Sequence, residues 1–278
     1  MSSPSQCPAT GDQGLRRWAI RDPFHWLAFS CSAVIVAFIL VPLIEMIRQP
    51  ALGDLQAAIL DRDVLGSIRL SLITSGGAAA IALVLGTPLA YILARRRFPG
   101  RKLLESIIDL PIMIPHPVVG IALLSIAGRN HPLGKLMQAV GVQIMGTVTG
   151  LIAVLTFVGL PFYINTVKAG FEEISPRLEH VSRSLGASAG GTFCRVTLPL
   201  AWRHIVVGGI MCMARAVSEF GAVIIVAYHP MVAPVMIYER FTAYGLKYSQ
   251  PVAVWLILVC MVLFLLLRIV SLDRKAAA

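Results

Sequence analysis

The sequence predicts an all-α membrane protein with about six transmembrane helices. Of its 278 residues, 57% are hydrophobic and only 14% are charged, and the mean hydropathy is +0.79. A soluble domain typically has about 25% charged residues, so this composition places the chain in a lipid bilayer and excludes a soluble enzyme. Six apolar stretches approach the roughly 20 residues that a helix needs to cross a membrane.

Each apolar stretch is almost free of charged residues. The predicted spans are 26–44, 70–94, 110–127, 144–167, 205–228 and 252–267. The first stretch follows a polar leader and lacks a small-residue cleavage site, so we expect a retained helix rather than a cleaved signal. The chain thus divides into a polar N-terminal tail (1–23), a transmembrane domain (24–270) and a polar C-terminal tail (271–278).

The positive charges are distributed unevenly between the two sides of the predicted spans. The net charge is +10, from 24 Lys and Arg residues against 14 Asp and Glu residues. About two thirds of the basic residues lie in the two tails and in the loops after the second and fourth spans, and such loops resist translocation. Both termini are therefore predicted to be cytoplasmic in a multi-pass protein of the inner membrane. No basic face is interleaved with aromatic residues, so we assign the charge to topology and membrane lipid, not to nucleic acid.

The sequence contains no catalytic constellation. It lacks the HExxH motif and paired carboxylates within a span, and its five cysteines include no CxxC. Residues 128–135 resemble a phosphate-binding loop, but they have one residue too many between the glycines and no Ser or Thr after the Lys. No cofactor or metal site is predicted, and any ATP must be hydrolysed by another subunit. A membrane-embedded enzyme or a scaffold is the rival class, which a catalytic constellation would have indicated.

The connection between the fourth and fifth spans, residues 171–200, is predicted to form a two-helix elbow. Ser175 and Pro176 have the residue types that begin a helix, and Gly186 has the type that ends one. A second short helix is expected from about residue 190. Small residues at the bend would let another protein approach the backbone closely.

The elbow resembles the signature loop of ABC importer permeases. Gly186 is followed, after nine residues, by Val196-Thr197-Leu198-Pro199, and the family pattern is Glu-Ala-Ala, three residues, Gly, nine residues, Ile-x-Leu-Pro. In that family the loop forms a coupling helix that docks into a cleft of the ATP-binding subunit. Here His180 occupies the position of the family's Glu, and Glu179 precedes it. The resemblance implies that the ATPase-coupling residues are Glu179, His180, Arg183, Ser184, Gly186, Ala187, Leu198 and Pro199.

A second resemblance extends from about residue 67 to the sixth span. The segment 214–228 contains Arg-x-x-x-Glu-Phe-Gly, 233–240 reads Ala-Pro-Val-Met-Ile-Tyr-Glu-Arg, and 109–120 contains three prolines. These segments resemble the permeases of molybdate/tungstate importers. The resemblance implies a type I ABC importer permease fold and alternating access. It also implies a homodimer with two cytoplasmic ATP-binding subunits and an extracytoplasmic oxyanion-binding protein. Sulfate or another oxyanion is the alternative substrate.

Three ionisable residues inside the predicted spans are candidates for an intramembrane pathway or gate. Arg215 and Glu219 are four residues apart, so on a helix they would share a face about 6 Å apart along the axis. Charges at this depth usually face a cavity or an interface, and packing, gating and direct anion binding by Arg215 remain open. His116 lies between Pro115 and Pro117, where irregular backbone serves either a kink or a pathway.

Overall fold

The computed structural model describes residues 23–128 and 130–272. It divides into two compact units, Met1–Ala51 and Leu52–Ala278. The described part of the first unit contains a single helix, α1 (Pro23–Arg48), whose apolar side chains are mostly exposed. At about 1.5 Å per residue, a helix of this length spans about 39 Å, which exceeds a bilayer core of about 30 Å. The predicted polar tails lie largely outside the described residues.

The second unit is built from helices and connecting turns. Its helices are α2 (Leu52–Leu60), α3 (Arg62–Ile81), α4 (Thr87–Arg95), α5 (Arg101–Met113), α6 (His116–Ala127), α7 (Pro132–Ala139), α8 (Val148–Glu173), α9 (Pro176–Ser184), α10 (Ala189–Thr192), α11 (Leu198–Val217), α12 (Gly221–Val226), α13 (Ala233–Tyr244) and α14 (Leu246–Leu272). A π-helical turn joins α3 to α4, and another joins α10 to α11. Each of these pairs therefore forms one long helix, Arg62–Arg95 and Ala189–Val217.

The number of potential spans agrees with the sequence. Five helices in the described ranges are long and apolar enough to cross a membrane, and the pair formed by α5 and α6 raises the number to six. The all-α fold with about six transmembrane helices is therefore confirmed. The third predicted span is broken, because α5 and α6 meet at a bend of 112°. Pro115 and Pro117 flank the start of α6, and neither can donate the backbone hydrogen bond that would continue a helix.

The prediction of one continuous fifth span over residues 205–228 is wrong. Helix α11 ends at Val217, and α12 starts only at Gly221. The Glu219 carboxylate lies in this gap, where its Oε1 accepts a hydrogen bond from the Ala222 N–H at 2.9 Å. A side chain that binds the free N–H groups of a new helix competes with continuation of the preceding one, which explains the break.

Helix α8 is the central element of the second unit. It packs against α3, α4 and α11, and its inward face carries buried side chains along most of its length. Close packing against α11 requires glycine at Gly159, where a Cβ would lie 2.6 Å from the Cys212 Sγ atom. Small residues at a helix interface allow close approach and strong dispersion contacts in a membrane. The α8–α11 pair therefore positions the elbow, which connects these two helices at their ends.

Candidate functional site

The first candidate site lies where two helix breaks meet. His116 is the first residue of α6, and Glu219 lies between α11 and α12. Helix α6 packs closely against α12 at Gly120, where a Cβ would lie 2.8 Å from the Ala222 carbonyl oxygen. This contact brings together ionisable residues that are about a hundred positions apart in the sequence.

Arg215, Glu219 and His116 form one cluster, which we call the intramembrane cluster. The Arg215 Nη2 atom donates to Glu219 Oε2 at 2.6 Å and also hydrogen-bonds to His116 Nε2. His116 Nε2 lies 3.8 Å from Glu219 Oε2. The Glu219 side chain is completely buried, whereas 18% of the Arg215 side chain and 37% of the His116 side chain are exposed. Arg215 and His116 thus form the accessible edge of the cluster.

The two ring nitrogens of His116 have different surroundings. A guanidinium group only donates hydrogen bonds, so His116 Nε2 is the acceptor in its contact with Arg215. Nδ1 is buried and has no hydrogen-bond partner among the described residues. The charges of Arg215 and Glu219 compensate each other within the cluster.

The sequence predicted part of this cluster. The spacing of Arg215 and Glu219 predicted a pair, and the pair is present, although Glu219 lies beyond the end of α11. Nothing in the spacing linked His116 to the pair. The sequence did show that both positions interrupt a span, since prolines flank His116 and Glu219 is a charged residue. Irregular backbone at membrane depth tends to be buried in protein or to line a cavity, so two such interruptions could have been expected to lie close together.

The second candidate site is the elbow, residues 171–200. Helix α9 begins at Pro176 and ends at Ser184, and Gly186 follows with a φ of 92°. The predicted first helix and its glycine stop are therefore confirmed, as is the second helix, which starts at Ala189. The exposed members of the predicted coupling set are His180, Arg183, Ser184, Gly186 and Pro199, and the half-buried ones are Ala187 and Leu198.

Glu179 differs from the other predicted coupling residues because its side chain is directed into the protein. Its Oε1 accepts from Arg95 Nε at 2.9 Å and from Thr197 Oγ1 at 3.0 Å, and its Oε2 accepts from the Tyr91 hydroxyl at 3.0 Å. Arg95 also donates to the Ile174 carbonyl at 3.0 Å. Glu179 therefore fastens α9 to α4 and to the turn before α11, and it is not displayed on the surface of the elbow.

A group of ion pairs holds α5 against α8 close to the elbow. Lys168 Nζ lies 2.6 Å from Glu105 Oε1, and Arg101 lies 3.0 Å from Glu105 and 3.1 Å from Glu172. The sequence reasoning missed this group. The sequence did contain a signal for these ion pairs, namely the four-residue spacing that is typical of ion pairs on a helix. This spacing separates Arg101 from Glu105 and Lys168 from Glu172.

A further ion pair lies at the opposite end of the long helix Arg62–Arg95. Arg240 of α13 contacts Asp61, the residue before this helix, with an Nη2–Oδ2 distance of 2.5 Å. Burial acts to raise the pKa of the Asp61 carboxyl, but hydrogen bonds from Arg240 and from the Asp63 N–H outweigh it and lower the pKa. One cavity of about 140 Å³ and another of about 660 Å³ are both lined by Arg240.

The chain has the features of an integral membrane transport protein, namely long apolar helices, an ionic cluster at broken helices and an exposed elbow. The sequence profile of the family described as binding-protein-dependent transport system inner membrane component matches residues 86–274. The chain belongs to this family of ABC importer permeases. It is a transport subunit and not an enzyme.

Similar proteins support this membership, and a solved structure shares the fold. The molybdate/tungstate transport system permease protein WtpB of Methanocaldococcus jannaschii is 40% identical, covering 84% of this chain and 92% of that protein. The WtpB protein of Pyrococcus furiosus is also 40% identical, covering 92% and 99%. The sulfate transport system permease protein CysT of a Synechocystis species is 29% identical over 74% of each chain. A bacterial ABC transporter that imports alginate has the same fold, with a TM-score of 0.71, 19% identity, and coverage of 91% of this chain and 96% of that chain.

Proposed function

We propose that the chain is the permease subunit of an ATP-driven importer of molybdate or tungstate. The observation that supports this substrate is the 40% identity to two molybdate/tungstate permeases over nearly their whole length. Sulfate permeases are 29–32% identical and align over less of the chain. Sulfate is therefore the second candidate.

The proposed assembly is a homodimer of permease chains with two cytoplasmic ATP-binding subunits and an extracytoplasmic oxyanion-binding protein. It is supported by the family description, in which transport depends on a binding protein. A structural neighbour, the alginate transporter, was solved in complex with a periplasmic protein bound to an alginate pentasaccharide. The proposed orientation has both termini in the cytoplasm, and it is supported by the distribution of Lys and Arg.

The elbow is the proposed contact with the ATP-binding subunit. Three apolar side chains of the elbow, Leu178, Val181 and Leu185, are exposed by 48%, 58% and 83%. An exposed apolar ridge beside charged residues is typical of a protein interface. A movement of α9 would be transmitted to the transmembrane helices through Glu179, because its side chain hydrogen-bonds to α4 and to the turn before α11.

The intramembrane cluster is the proposed gate. It lies at two helix breaks, and residues between rigid helices are the positions at which a domain motion can change backbone angles. Because Glu219 compensates Arg215, this ion pair has no net charge that would hold a dianion tightly. Alternating access would separate and re-form these contacts as the oxyanion passes.

The substrate is tested with the full complex in proteoliposomes. With its ATP-binding subunit and cognate binding protein, we expect molybdate or tungstate at low micromolar concentration to stimulate ATP hydrolysis, and sulfate at the same concentration to have little effect. The binding-protein-free complex is the control. Stimulation by sulfate alone would transfer the assignment to the sulfate importers. Stimulation by a sugar or an amino acid would reject an oxyanion substrate.

A further inference from the structure

A cleft of about 770 Å³ lies between the C-terminal end of α4 and the elbow. Four arginines line it, and Glu179 is the one carboxylate among its described lining residues. The arginines are Arg95, Arg96, Arg97 and Arg183. Such a concentration of one charge in a cleft focuses the electrostatic potential and favours an anionic partner.

Most of this positive charge is uncompensated. Glu179 is already paired with Arg95, and its remaining acceptor positions are used by Tyr91 and Thr197. The side chains of the other three arginines, Arg96, Arg97 and Arg183, are exposed and make no hydrogen bond or ion pair within the described residues. The cleft therefore presents about three unpaired positive charges.

The position and the lining of the cleft favour a protein over a lipid as its occupant. The helix Arg62–Arg95 has 34 residues, or about 51 Å, so it is long enough to extend well beyond a hydrocarbon core of about 30 Å. The described lining contains no Leu, Ile, Val or Met side chain, and its two aromatic rings, Tyr91 and Phe193, pack against each other. It does contain Ala189 and Gly190, whose small size leaves room for a partner's backbone.

We propose that the ATP-binding subunit inserts acidic side chains into this cleft, where they pair with Arg96, Arg97 and Arg183. The inference rests on the proposed function and specifies the chemistry of the partner. His180 occupies the family's Glu position, and the neighbouring Glu179 is turned inward, so the permease supplies positive charge at this contact. The ATP-binding subunit must then supply the carboxylates.

Charge reversal tests the inference in the co-expressed, purified complex. The triple variant Arg96→Glu, Arg97→Glu and Arg183→Glu is expected to bind the ATP-binding subunit at least about tenfold more weakly near 0.1 M salt, since charges less than about 10 Å apart are incompletely screened there. The triple Arg→Ala variant should show a smaller loss. Lys102→Glu is the matched control for the single reversal Arg97→Glu, because Lys102 is exposed at the start of α5 and lies outside the cleft. An Asp or Glu to Lys change on the docking face of the ATP-binding subunit should restore binding to the triple Glu variant.

The outcomes separate this inference from the proposed function. If the wild-type chain retains the ATP-binding subunit but the triple Glu variant binds it with unchanged affinity and salt dependence, the inference alone is overturned. If the loss occurs only in nanodiscs that contain anionic lipid, and not in phosphatidylcholine alone, the cleft binds lipid headgroups and the inference is again overturned. A wild-type chain that retains no ATP-binding subunit would refute both.

Discussion

At the residue scale, the intramembrane cluster shows how a charge is kept inside a membrane protein. An isolated carboxylate at this depth costs several kcal/mol, and it persists only with partners. Glu219 has two: Arg215 on one oxygen and the Ala222 N–H on the other. Arg215 in turn reaches His116 on a different helix. The group is stable as a unit, because each member completes the bonding of another.

This interdependence predicts that mutations of Arg215 and Glu219 have non-additive effects on stability. Arg215→Ala or Glu219→Ala leaves an uncompensated charge, at a cost of up to about 3–5 kcal/mol for a buried pair, whereas the double change removes both charges. Each single variant should therefore reduce assembly and thermal stability more than the double variant does. Thermal unfolding in detergent measures the cycle, with Ser125→Ala as the control, because the exposed Ser125 hydroxyl donates to the Ile121 carbonyl and lies outside the cluster. Additive losses would contradict a functional pair.

The same scale shows what could be predicted from sequence. The four-residue spacing suggested the pair of Arg215 and Glu219, and the pair forms even though Glu219 lies just beyond the end of α11. The contact with His116 depends on how α6 packs against α12, and no pattern along the chain encodes that packing. The direction of Glu179 was also beyond local reasoning, because α9 exposes its apolar residues and buries its carboxylate, the reverse of an ordinary surface helix.

At the scale of secondary-structure elements, the positions of helix breaks were predicted better by particular residue types than by hydropathy. These residue types are proline, glycine and the residues that cap helices. Pro115 marked the start of α6, and Gly186 marked the end of the first elbow helix. Hydropathy alone extended the fifth span across Glu219, because the apolar residues of α11 and α12 form an almost continuous run. The elbow was therefore predictable from sequence, whereas the break beside the intramembrane cluster was not.

The bend of the elbow predicts a specific effect at Gly186. A Cβ at this position would have no atom of the described chain within 4 Å, so this face of the bend is open to a partner. Its φ of 92° strains any L-residue. Gly186→Ala therefore serves as the control, since it carries the strain without the bulk.

Gly186→Trp is expected to release the ATP-binding subunit on gel filtration in detergent. Gly186→Ala should weaken binding of that subunit only slightly, and His180→Ala should mildly reduce the coupling of ATP hydrolysis to transport. The reason is that a large side chain at the bend would prevent close approach of the partner, whereas His180 supplies no carboxylate to be lost. A stable Gly186→Trp complex with normal transport-coupled ATP hydrolysis would show that this bend is not the docking surface.

At the scale of the whole second unit, ion pairs mark two ends that the long helices separate. Arg95 meets Glu179 at one end of the helix Arg62–Arg95, and Arg240 meets Asp61 at the other. Basic residues are dense at the first end, where Arg96, Arg97 and the elbow lie. Because such residues resist translocation, we infer that the first end faces the cytoplasm and that the Asp61 end faces outward.

Reporter fusions test this orientation directly. Fusions at Arg96 and Arg183 should give a fluorescent cytoplasmic reporter and inactive alkaline phosphatase, and fusions near Asp61, Asn130 and Tyr244 should give the opposite pair. Each position is fused separately to both reporters, so a poorly expressed fusion is not mistaken for one with inverted topology. Asp61 and Arg96 on the same side would contradict a membrane crossing by the long helix between them. An outward Arg183 would remove the elbow from the reach of any cytoplasmic ATP-binding subunit, and coupling would then have to occur elsewhere in the chain.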